Sequence, residues 1–85
     1  MTKKAVLEAL RSLPKNPEKA QVVEVDGFTL WREQNYAMPG QNRRFAWKWI
    51  YYGKHPAEQY NFGGCDSLHT MADIVVRINR RQERA

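Results

Sequence analysis

Cys65 and His69 are the residues of this sequence best spaced for nucleophilic chemistry, four positions apart at the start of an apolar-periodic segment. A thiol just ahead of a helix N-terminus is biased toward thiolate by the helix dipole, and an imidazole about one turn on would be its base. A working dyad also needs a group that orients the base, and none is identifiable. The plain reading is a loop cysteine beside a surface histidine. His55 and His69, fourteen positions apart, with one cysteine do not match a recognised metal-ligand spacing. No cofactor is expected. Gly63-Gly64 precedes the same segment, where backbone amides attract phosphate, but it lacks the GxGxxG and GxxxxGK[ST] spacings. It reads as a flexible turn into a helix. The sequence therefore points away from an enzyme and from a small-molecule substrate, and toward binding.

Two sets of residues carry the binding argument. Within Arg43 to Tyr52, Phe45, Trp47, Trp49 and Tyr51 alternate with Arg44, Ala46, Lys48, Ile50 and Tyr52. Buried, the four aromatics are a core, because large rings supply the apolar area that a short chain needs. Exposed, they are a stacking platform for unpaired bases. If they are buried, the opposite face presents Arg44 and Lys48 beside Tyr52, with Trp31 joining from a neighbouring strand. Such a face suits a nucleic-acid backbone, an acidic protein surface, or simply solvent.

The second set is Arg77, Arg80, Arg81 and Arg84, which fall within about 100° of arc on a helical wheel. Cations in a last helical turn are stabilised by the helix dipole, and Asp73 is spaced to pair with Arg77. Capping does not require so many arginines, and guanidinium is the group suited to bidentate phosphate or carboxylate contacts.

The elements that must position these residues follow from periodicity. Thr2 to Leu13 sets Val6, Leu7, Leu10 and Leu13 at helical spacing, and Pro14 to Lys19 is a polar connector. Gln21 to Val25 and Phe28 onward flank Asp26-Gly27, a two-residue hairpin signal. That hairpin predicts Val25 opposite Phe28, Glu24 opposite Thr29, Val23 opposite Leu30 and Val22 opposite Trp31. The second strand fades near Gln34 or Asn35, before a loop through Pro39-Gly40. Arg43 to Tyr52 is the strongest strand, and Glu58 to Phe62 offers a short edge strand. Asp66 or Ser67 caps a final helix to about Glu83, whose apolar stripe is Leu68, Met71, Ala72, Val75 and Ile78, with residues 80–85 as a fraying end. The expected fold is α+β, in α-β-β-β-α order: a three-stranded antiparallel meander with both helices packed on one face.

Length and charge bound the rest. The chain has 85 residues and 10.0 kDa, 42% hydrophobic, with one cysteine. It reads as a single small domain with no disulfide framework. There is no apolar run of membrane-spanning length and no signal-peptide core after Lys4, so a soluble cytoplasmic protein is expected. The net charge is +5. Residues 1–42 hold six basic and five acidic groups and residues 43–85 hold eight and four, so the halves carry +1 and +4.

The element order over Gln21 to Glu83 resembles that of the double-stranded RNA-binding domain. Its three-strand and helix part is similar to the sheet-reading DNA-binding domains of plant transcription factors and phage integrases. The RNA-binding family carries a lysine-rich stretch where Leu68, His69 and Thr70 stand, so its chief phosphate clamp is missing here. The integrase-like comparison implies a sheet laid in a groove, a placement that Arg44 and Lys48 suit. Two functions are therefore expected: a nucleic-acid-associated module using Arg44, Lys48 and the helix arginines, or a protein-binding inhibitor or adaptor of phage or plasmid type. The second would dock on a nucleic-acid-processing or host-defence complex through Trp31, Tyr36, Tyr52, Tyr60 and neighbouring arginines, since Tyr, Trp and Arg dominate hot spots.

Overall fold

The computed structural model describes residues 1–14, 21–34 and 49–84. Two α-helices and a four-stranded antiparallel sheet follow in the order α1 (Lys3–Arg11), β1 (Val23–Val25), β2 (Phe28–Gln34), β3 (Trp49–Lys54), β4 (Phe62–Cys65) and α2 (Leu68–Arg84). The α+β class is as expected. The strand count is not: the sheet is a meander of four strands, β1-β2-β3-β4, where three were expected.

Each helix has local reasons for its ends. The Oγ1 of Thr2 accepts from the Ala5 amide at 3.2 Å, which satisfies one of the free donors that open α1. Ser12 closes that helix, its hydroxyl donating to the Ala9 carbonyl at 2.6 Å. Ser67 caps α2, its Oγ accepting from the Thr70 amide at 3.3 Å.

The Asp26-Gly27 turn is a two-residue loop with φ of 46° and 86°, the left-handed region that such hairpins demand. Three of the four expected pairs form, Val25 opposite Phe28, Glu24 opposite Thr29 and Val23 opposite Leu30, whereas β1 begins at Val23 and the Val22–Trp31 pair is not part of the ladder. In β2 and β3, Trp31 faces Tyr52 and Arg32 faces Tyr51. Pleating then sends Phe28, Leu30 and Tyr51 to one side and Trp31 and Tyr52 to the other.

The first side is the core. Phe28, Leu30 and Tyr51 are buried together with Val6, Leu10 and Leu13 from the α1 segment and Met71, Ala72, Val75 and Ile78 from α2. Both helices therefore cover the same sheet face. Tyr51 is 8% exposed and belongs to the core, and Trp49 lies partly buried on the same side. For Tyr51 the stacking-platform reading is wrong, because the helices cover it, whereas the Trp49 ring is partly buried with the Arg32 guanidinium over it. Phe45, Trp47, Arg44 and Lys48 lie outside the described residues, as do the connector 15–20 and the loop 35–42.

The fourth strand explains the error in count. An edge strand was expected over Glu58 to Phe62 and a turn at Gly63-Gly64, yet the paired residues are Phe62 to Cys65. Tyr51 faces Cys65 while Tyr52 faces Gly63, so Gly64 is an extra, unopposed residue, a β-bulge. The two glycines adopt φ of 109° and 78°. Glycines scored as a turn thus form the strand itself, and Phe62 reaches the core face, edge-on to Phe28 at 5.9 Å.

A Cβ at position 63 would lie 2.6 Å from the Tyr51 carbonyl oxygen, whereas one at position 64 would meet nothing within 4 Å. Gly63→Ala should cost about 2 to 4 kcal/mol, combining backbone strain with a clash that no rotamer relieves, and Gly64→Ala about 1 kcal/mol. Urea unfolding midpoints of the two variants check the order, and equal losses would contradict the bulge.

Candidate functional site

Helix α2 turns Met71, Ala72, Val75 and Ile78 inward, so its opposite face is fixed by periodicity. Arg77, Arg80, Arg81 and Arg84 all lie on that face and all are exposed. They are not equivalent. The Arg81 guanidinium donates to Glu58 Oε1 at 2.7 Å, in the segment between β3 and β4, and is turned away from the row. Arg77, Arg80 and Arg84 make no ion pair or side-chain hydrogen bond among the described residues. At 1.5 Å rise per residue, these three cover about 10 Å of helix.

Asp73 does not serve Arg77, the partner its spacing suggested. It accepts from Lys3 Nζ at 3.0 Å and so ties α2 to α1. The reason is tertiary: a cation delivered by the neighbouring helix competes with one on the same helix. Arg77 is consequently left open to solvent. Together the two helices carry seven basic residues (Lys3, Lys4, Arg11, Arg77, Arg80, Arg81, Arg84) against three acidic ones (Glu8, Asp73, Glu83). Their excess of four positive charges is most of the chain's +5. Lys4 and Arg11, like the three open arginines, are exposed.

The other expected contacts lie elsewhere. Trp31 and Tyr52 stack with ring centroids 6.1 Å apart and planes 23° from parallel, on the sheet face opposite the two described helices. Alternation places Glu24, Glu33 and Lys54 on that same face, so its described part holds two acids and one base. The arginine row and the Trp31–Tyr52 pair therefore look out from opposite sides of the molecule, with the core between them. One continuous basic and aromatic surface is not formed by the described residues.

Sequence spacing gave little warning of a third region, the segment joining β3 to β4. His55 packs its ring on Phe28, centroids 4.6 Å apart, and its Nδ1 accepts from the Ala57 amide at 3.0 Å. Gln82 of α2 approaches the same Nδ1 at 3.2 Å and donates to Glu58 Oε1 at 3.2 Å. With Nδ1 accepting, the ring proton sits on Nε2. The Arg81 guanidinium, by hydrogen bonding to Glu58, holds that carboxyl below the usual carboxylate range. His55-Pro56 was readable as a turn, but its link to Gln82 spans 27 positions and has no local signature.

Arg32 was also missed. Its guanidinium lies over Trp49, 4.2 Å from the ring centroid, and donates to the Pro14 carbonyl, fastening the end of the α1 segment to the sheet. Its buried Nε has no hydrogen-bond partner among the described residues.

The Cys65 and His69 pair does not assemble. The Cys65 sulfur contacts the Ser67 carbonyl oxygen and the Met71 sulfur, each at 3.9 Å, and His69 is on the exposed side of α2. Burial pushes the Cys65 thiol up, the reverse of what a nucleophile at a helix start requires. Among the described residues no three His, Cys, Asp or Glu side chains are grouped to hold a metal, and no helix is long and apolar enough to cross a membrane. Compared with protein-family models, curated proteins and solved structures, the chain has no match.

Two measurements check this geometry. Because the folded carboxyl of Glu58 titrates below its ordinary value near 4.5, its contribution to stability is full at neutral pH and is lost as pH falls through the lowered value. The stability difference between the native protein and Glu58→Gln should therefore shrink on acidification, as read from urea midpoints across that range. A difference independent of pH would contradict the pairing with Arg81. Alkylation of Cys65 by iodoacetamide near about pH 8 should be several-fold slower in the folded protein than in urea, since rate follows thiolate fraction and access.

Proposed function

We propose that this chain is a non-enzymatic nucleic-acid-associated binding module of the cytoplasm, which contacts phosphate backbone through the outer face of its two helices. The observation that carries the reading is the row of Arg77, Arg80 and Arg84, exposed and without a partner among the described residues. Free guanidinium groups on a rigid helix pay no cost of breaking an ion pair before they meet phosphate, and they grip it bidentately. Lys4 and Arg11 add to the field on the same layer. Contacts of this kind position a nucleic acid without reading its sequence.

The salt dependence tests it. Three phosphates neutralised by three arginines give a slope of about −2.7 in log affinity against log salt on duplex DNA. Fluorescence anisotropy on a labelled duplex should show a slope at least this steep, and the Arg77→Glu, Arg80→Glu, Arg84→Glu triple variant should lose nearly all binding. A triple variant that binds as well as the native chain refutes the helix-face reading.

A second reading has its own observation. The Trp31–Tyr52 stack lies on the sheet face opposite the two described helices, and aromatic pairs of this kind anchor protein interfaces. On that reading the chain is an inhibitor or adaptor, with its arginines meeting an acidic protein surface. A pull-down that recovers a stoichiometric protein after nuclease treatment, and loses it in Trp31→Ala, favours this function over the first.

A further inference from the structure

Beside the arginine row, the segment between β3 and β4 and the C-terminal half of α2 enclose an open groove of about 820 Å³. This is within the range of about 300 to 1,000 Å³ that accommodates small organic ligands. Its floor is apolar, made by Phe62 and Ile78, and Phe62 is held in place edge-on to Phe28. At its lip stands Tyr60, 76% exposed, the most exposed large apolar side chain among the described residues. Gln59 and Asn61 flank it, and neither side chain has a hydrogen-bond partner among the described residues.

Charge within this groove is balanced, and the positive excess lies on the helix beside it. The Glu58 carboxylate that lines it is already neutralised by Arg81, which lines it as well. Arg77, Arg80 and Arg84 lie within four residues of Arg81, about 2 to 6 Å along the helix axis. Arg77 and Arg84, one turn to either side of Arg81, therefore adjoin the aromatic ring and free amides of the groove, and Arg80 stands about 100° further round the helix. An amide offers a donor and an acceptor together, the pattern that matches the hydrogen-bonding edge of a base. A ring in water beside such groups suits a planar π-face.

We infer that the groove takes one unpaired base of a single-stranded nucleic acid, stacked on Tyr60, while the adjacent phosphates lie along Arg77, Arg80 and Arg84. The inference rests on the phosphate-binding reading of α2 and names its ligand class as single-stranded. A base inside a duplex is stacked and paired and cannot enter the groove, so a duplex offers these arginines its backbone alone. Tyr60 supplies the preference for unpaired strands, the arginines supply affinity common to both forms, and Gln59 and Asn61 meet the edge of the base.

Anisotropy titrations with the full chain, using a labelled mixed-sequence single strand and its own duplex at about 50 mM salt, separate the two claims. The single strand should bind more tightly. Tyr60→Ala should weaken single-strand binding about tenfold, the size of one base–aromatic stack, and change duplex binding by less than about twofold. Tyr60→Phe should bind like the native chain, because stacking needs the ring and not the hydroxyl. The Arg77→Ala, Arg80→Ala, Arg84→Ala triple variant should weaken both forms. If Tyr60→Ala leaves single-strand affinity within twofold, or if the two forms bind equally, the groove is not a base site, although the backbone-binding reading survives. If neither form binds, both fall.

Discussion

The structure depends on one burial event, in which Phe28, Leu30 and Tyr51 are covered by Val6 and Leu10 from one helix and Met71 and Val75 from the other. Each fully buried side chain of this kind is worth about 1.5 to 3 kcal/mol. A chain of 85 residues has few of them to use. Both described helices lie on the same sheet face, and no described helix covers the other. Every later feature follows from that choice: one layer of helices whose outer side is free for charge, one open sheet face, and an edge where the two meet.

The layers are fastened by polar contacts of long sequence range near the two ends of β3. Arg32 crosses from the sheet to Pro14, using its flat guanidinium against Trp49 as well as its donors. Gln82 and Arg81 reach from α2 to His55 and Glu58. Exposed ion pairs add little to stability, so the value of the Arg81 contact is chiefly positional. It removes one arginine from the outward row and shapes the groove beside Tyr60. Lys3 and Asp73 act in the same way between the helices, and their pairing is what leaves Arg77 open. Internal pairing thus sorts cations of one type into structural and available groups.

Much of this was legible locally. The Ser67 cap, the apolar stripe from Leu68 to Ile78, and the hairpin pairs nearest Asp26-Gly27 all rest on short-range rules, and each appears as expected. The fourth strand was not legible, because Gly63 and Gly64 carry turn chemistry. Only the pairing of Tyr51 with Cys65 and of Tyr52 with Gly63 makes them a bulged strand. The candidate site was legible in part. Arg77, Arg80 and Arg84 could be placed on one helix face by the 3.6-residue period. That Arg81 would be diverted, and that Tyr60 would stand beside it, could not.

The amino-acid sequence by itself determined the α+β class, which residues of each helix and hairpin face the same way, and where the positive charge is concentrated. Those properties repeat with the period of a single element and need no knowledge of its neighbours. The tertiary structure alone decided that the arginine row and the Trp31–Tyr52 stack face opposite ways, that Asp73 serves Lys3, and that Cys65 is shielded instead of activated. Each of these depends on which element packs against which, and that is set by burial of the whole core. The arginine helix face and the Trp31–Tyr52 pair, two separate sets in the sequence, lie for this reason on opposite sides of the core.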